Sequence, residues 1–131
     1  MALILLIEPD KTLARIYAEA LASAGYEVKL AKGAQAAISL TDRQTPDLVL
    51  LELQLTSHNG LEFLYEFRSY PEWQNVPVLV NSLVPPHEFS ENLILRSQLG
   101  VSEYFYKPET SLWQLLHAIA AHLQPAGQTI S

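Results

Sequence analysis

The sequence predicts an α/β domain of five βα units, a doubly wound parallel sheet in the order 2-1-3-4-5 with helices on both faces. Three observations predict it. Apolar runs alternate with stretches of helical period along the whole chain. Three of the runs, "ALILLI" at 2–7, "LVLL" at 48–51 and "VPVLV" at 76–80, are apolar nearly throughout, as strands covered on both faces are. The other two, "YEVKL" at 26–30 and "SEYFY" at 102–106, are mixed, which assigns the second and fifth strands to the edges.

Each element has a local reason. The opening "MALILLI" breaks at once into "EPD", lacks a basic leader and is too short to span a bilayer, so it reads as the first strand. Asp10 caps the next helix, which carries Leu13, Ile16, Tyr17, Ala20 and Leu21 on one face and closes at Gly25. Further helices are predicted near 34–43, 60–69, 87–98 and 111–123, punctuated by Pro46, Pro77 and Gly100. In the last of them Leu112, Leu115, Leu116, Ile119 and Leu123 form the core stripe, with Trp113 and His117 to one side. Residues 1–123 make up the domain, and "QPAGQTIS" at 124–131 is expected to be a flexible tail or linker.

Composition excludes several functions. A chain of 131 residues can build a core without staples. With no cysteine there is no thiol nucleophile, disulfide or cysteine zinc site. The net charge is −6, and the 8 Lys and Arg form no stripe along the sequence, which argues against direct nucleic-acid binding. Without a secretory signal or a membrane span, the cytoplasm is the expected compartment.

In this sheet order, the residues that follow each strand share one crevice. They are Glu8, Glu52, Ser82 and Lys107. A carboxylate beside buried apolar residues needs a partner, and Lys107 is the expected partner of Glu52.

These residues and their spacing resemble the receiver domain of bacterial response regulators, the phosphorylated module of two-component signalling, over residues 3 to about 123. "ILLIEPDKTLARI" stands where that family has an acidic pair, and "PDLVLLELQLTSHNGLEFL" where it has the phosphoacceptor Asp, eight residues before a turn glycine, here Gly60. "VPVLVNS" supplies the hydroxyl of strand four as Ser82; "GVSEYFYKP" supplies the switch aromatic as Tyr104 and the family's Lys-Pro as Lys107 and Pro108. The resemblance implies a flavodoxin-like fold and a cis peptide before Pro108.

The departures fall on the chemistry. The family holds Mg²⁺ with three carboxylates, and Mg²⁺ demands hard oxygens in a near-octahedral cage. Pro9 replaces one family ligand, Asp10 is one position late and suits the helix cap, and Glu8 survives alone. Glu52 replaces the acceptor Asp and reaches about 1.5 Å farther. The turn proline is Thr56. The expected function is therefore a phosphorylation-incompetent receiver acting as a non-enzymatic protein-interaction module without Mg²⁺. Glu52 then serves either as a fixed phosphate mimic biasing Tyr104 through Ser82 and Lys107, or as a static ion-pair partner. The alternative is an atypical Mg²⁺-dependent phosphoreceiver in a phosphorelay, still modified at Glu52. A flavin carrier needs a glycine-rich phosphate loop after strand one, and "EPDKTLAR" has no glycine. His58 is a weaker candidate, a metal ligand with Glu8; His87, His117 and His122 show no ligand spacing.

By resemblance, partners are a histidine kinase, an output domain or a second copy, engaged through the fourth helix, fifth strand and fifth helix. The fourth helix has Leu93, Ile94 and Leu95 in a row, and at about 100° per residue at least one faces outward. Ile94, Leu95, Trp113 and His117 are the expected partner face; the other reading packs Trp113 over the core edge.

Overall fold

The computed structural model describes residues 1–55, 59–88 and 97–123. The strands are β1 (Leu3–Ile7), β2 (Glu27–Ala31), β3 (Leu48–Leu51), β4 (Val78–Ser82) and β5 (Val101–Tyr106). The helices are α1 (Lys11–Ser23), α2 (Ala34–Arg43), α3 (Gly60–Ser69) and, after β5, α4 (Leu112–Leu123). All pairings are parallel and the order is β2-β1-β3-β4-β5, as predicted. β4 begins two residues later than the apolar run suggested, so Ser82 is its last residue.

Alternation along the central strands builds two cores. Ile4, Leu6, Leu48, Leu50 and Leu79 meet Tyr17 and Leu21 of α1 and Leu115 and Ile119 of α4. Leu5, Ile7, Val49, Leu51, Val78 and Val80 meet Ala37 of α2 and Phe63, Leu64 and Phe67 of α3. Each large apolar side chain buried this way stabilises by roughly 1.5–3 kcal/mol. Edge strand β2, by contrast, buries fully only Ala31, and Leu30 remains 44 % exposed.

Helix ends follow the expected chemistry. Asp10 caps α1 by accepting from the Leu13 amide at 2.9 Å, and Gly25 turns the chain out with φ 98°. Asn59 caps α3 by accepting from the Glu62 amide at 3.1 Å. Gly60 is required by a close approach: a Cβ there would lie 2.8 Å from the Leu53 Cα.

Three sequence expectations are corrected. Ile16 is 42 % exposed, because about 100° of rotation from Tyr17 carries it off the buried side now set by Ala14, Tyr17 and Leu21. Leu112 is 36 % exposed; it starts α4, one turn before Leu115 and beyond the reach of the sheet. No cis peptide occurs among the described residues, since Pro108 sits inside a 3₁₀ turn, Lys107–Glu109, that its trans geometry accommodates. The predicted helix near 87–98 and the tail at 124–131 lie largely or wholly outside the described residues.

Arg68, which the sequence did not single out, ties α3 to the start of β5. Its guanidinium donates to the carbonyls of Leu99 at 2.8 Å, Trp73 at 2.7 Å and Gly100 at 3.1 Å. Arg68→Met is expected to lower unfolding free energy by about 3 kcal/mol, read by urea denaturation. Arg68→Lys recovers less than half of that, because one ammonium cannot span three carbonyls. A loss within about 0.5 kcal/mol would show that these bonds do not hold β5.

Candidate functional site

The carboxyl ends of β1, β3, β4 and β5 bring Glu8, Glu52, Ser82 and Lys107 together, as the sequence predicted. Glu8 and Glu52 are each 2 % exposed and Ser82 is fully buried. The Lys107 ammonium donates to Glu8 Oε1 at 2.8 Å and to Glu52 Oε1 at 2.7 Å, so one cation serves two carboxylates. Burial pulls the Lys107 pKa down, but its hydrogen bonds to Glu52 and Glu8 and their charge outweigh this and leave it above the ordinary 10.5.

Glu52 has more partners than its ion pair. Oε1 also accepts from the Leu83 amide at 3.0 Å. Oε2 accepts from the Gln54 amide at 3.0 Å and from the Ser82 hydroxyl in a short bond. One carboxylate thus takes an ammonium, a hydroxyl and two backbone amides. Charge-assisted bonds of this kind are the strong class, and together they offset the desolvation of a buried charge.

From Ser82 a chain of bonds runs outward. The Val84 amide donates to Ser82 Oγ at 3.1 Å, and the Tyr104 hydroxyl donates to the Val84 carbonyl at 2.6 Å. Tyr104 is half-buried and packs against the α2–α3 core. Glu52 and Tyr104 are therefore joined through Ser82 and Val84.

The metal-binding side is thin. Pro9 offers no side-chain oxygen. Glu8 Oε2 accepts from the Asp10 amide at 3.1 Å, and Asp10 Oδ1 is used on the α1 cap. Among the described residues no group of three or more His, Cys, Asp or Glu is arranged to hold a metal. His87 is exposed, and His122 contacts Glu103 at 2.7 Å. Thr56, His58, Leu93, Ile94 and Leu95 lie outside the described residues.

Of the expected partner face, Trp113 and His117 are described. Trp113 is 69 % exposed and stacks on His117, ring centroids 5.1 Å apart, rather than packing over the core edge.

The sequence reading missed the Leu83 and Gln54 amides, because backbone donors leave no mark in side-chain identity. It also missed Asn81, 2 % exposed with Oδ1 unpartnered, one residue beyond the ladder that aligns β4 with β3. An asparagine within a central apolar strand was the available signal.

The sequence profile of the response regulator receiver domain matches residues 4–120. The alginate biosynthesis transcriptional regulatory protein AlgB of Pseudomonas syringae pv. tomato is 31 % identical over 105 residues, which are 80 % of this chain and 22 % of that protein. The chain thus spans about a fifth of that relative's length. The non-phosphorylated HemR receiver domain of Leptospira biflexa superposes with a TM-score of 0.82 at 24 % identity, covering 99 % of this chain and 100 % of that one. The BeF3-activated receiver domain of Klebsiella pneumoniae RstA gives 0.78 at 26 % identity, covering 94 % and 99 %. No described helix is long and apolar enough to cross a membrane.

Proposed function

Because the chain belongs to the response regulator receiver domain family, we propose that it is a phosphorylation-incompetent member, a cytoplasmic and non-enzymatic protein-interaction module in two-component signalling. The observation that carries this reading is the single carboxylate of Glu52 accepting from Lys107, Ser82, Leu83 and Gln54 at once. An acyl phosphate would present three acceptor oxygens at this place and would need those same donors. Glu52 has drawn them onto itself. Its extra methylene lets it stand in for the phosphoryl group, and the Ser82–Val84–Tyr104 chain carries that state to the outer edge of the sheet.

Mg²⁺ does not fit this donor set. It requires six hard oxygens in octahedral array. Here position 9 is proline, both oxygens of Glu8 and of Glu52 accept from protein donors, and the Lys107 ammonium stands between the two carboxylates.

The partner binds the β5–α4 side, where Trp113 and His117 are exposed, and is a histidine kinase, an output domain or a second copy. AlgB is by its name a transcriptional regulator, which favours an output domain. The test is Glu52→Gln, followed by amide NMR. The amide group of glutamine turns donors toward donors, so resonances of Leu83, Val84 and Tyr104 are expected to shift together. Unchanged shifts at Tyr104 would reduce Glu52 to a static ion-pair partner.

A further inference from the structure

Beside the Glu8–Lys107 pocket, and sharing Glu8 with it, a cleft of about 310 Å³ opens between α1 and the edge strand β2. Its floor is apolar, made by Pro9, Ala14, Ala18 and Leu30. Leu30 is 44 % exposed, one of the few large apolar side chains left open to solvent. Its rim carries Lys11, Arg15 and Lys32, opposed by Glu19. The chain has 8 Lys and Arg against 14 Asp and Glu, yet three of those bases gather here. None of the three makes a hydrogen bond or ion pair with a described residue.

We propose that this cleft docks an acidic peptide segment of a protein partner, an apolar side chain seated on Leu30 and Ala18 with carboxylates on either side of it meeting Lys11, Arg15 and Lys32. Two features select a peptide over a small anion. Lys11 and Arg15 are one helical turn apart, about 6 Å, and Lys32 is on the loop after β2, so the three bases come from two elements and can each meet a different carboxylate. The floor also lacks the few placed polar groups that orient a small ligand: both oxygens of Glu8, the polar side chain deepest in the lining, are already taken by Lys107 and the Asp10 amide. The inference is independent of the chemistry at Glu52.

The probe is a short fluorescein-labelled peptide alternating Glu with Leu, added to the whole chain and followed by anisotropy and amide shift mapping. Shifts are expected at Ala14, Ala18 and Leu30. Arg15→Ala/Lys32→Ala weakens binding about ten-fold, as does Leu30→Ser. A matched peptide alternating Glu with Ser binds at least about ten-fold more weakly. All of these substitutions are at exposed positions, and amide spectra unchanged outside the cleft verify the fold of each variant. Equal binding by the Glu–Ser peptide, affinity unchanged in the variants, shifts at Trp113 instead of the cleft, or ATP shifting the same amides as tightly as the peptide would each overturn the proposal.

Discussion

Replacing Lys107 with Met is expected to cost about 3–5 kcal/mol of stability at pH 7, the range for breaking a buried ion pair from one side. Glu8 and Glu52 are each 2 % exposed, and the ammonium lies 2.8 and 2.7 Å from them. Methionine keeps most of the volume and removes the cation that bridges the two. Glu52 retains Ser82, Leu83 and Gln54, and Glu8 retains the Asp10 amide. Those neutral donors soften the loss but leave two like charges facing each other. Urea unfolding of both proteins at pH 7 reads this directly. A cost below about 1 kcal/mol at pH 7 would mean that the pair behaves like an exposed one.

The titration of Lys107 itself sets an alkaline limit. The folded pKa of Lys107 is raised above 10.5, through Glu52 and Glu8 overcoming its burial. A raised base contributes its stability fully below the unfolded value and loses it as the pH climbs through the folded one. The stabilisation from Lys107 is therefore complete at neutral pH and declines only in the alkaline range, where Lys107→Met has nothing left to lose.

Much of this site was legible in the sequence because side-chain identity and strand ends together determine it. Three apolar runs gave the central strands, and the two carboxylates and the hydroxyl at their ends, with the ammonium after the mixed fifth strand, had to meet at one mouth. What escaped depended on backbone or on rotation. The Leu83 and Gln54 amides that complete the hold on Glu52 belong to residues whose letters say nothing of it. Ile16 is turned about 100° off the buried side of α1, and Leu112 starts α4 one turn before its first buried residue. Arg68 reads as an ordinary helix cation until Leu99, Gly100 and Trp73 turn their carbonyls toward it. The cluster of Lys11, Arg15 and Lys32 arises only when β2 is laid beside α1.

Restoring the chemistry should take two substitutions. Wild-type protein incubated with acetyl phosphate and Mg²⁺ is expected to stay unmodified by intact mass, and beryllofluoride to leave its spectrum unchanged. Pro9→Asp/Glu52→Asp is expected to become phosphorylated at position 52 at least about 100-fold faster, since misplacement of a reacting group by about 1 Å costs that much. The reasoning is geometric. Aspartate at 52 withdraws the carboxylate by about one C–C bond, 1.5 Å, from Lys107, Ser82, Leu83 and Gln54, which leaves four donors converging on open space. Positioning and electrostatic stabilisation are most of what phosphoryl transfer needs, and the cradle supplies both. Aspartate at 9 adds the hard oxygen missing beside Glu8. Glu52→Asp alone opens the cradle without completing the metal site, so it gains only part of the rate. Modification of wild-type Glu52 at a rate near that of the double variant would refute the incompetent reading. A folded but unreactive double variant would move the defect away from these two positions. If the double variant reacts, Tyr104 and Val84 resonances should return on beryllofluoride binding to their wild-type positions, because Glu52 already holds the donors that a phosphoryl group would claim.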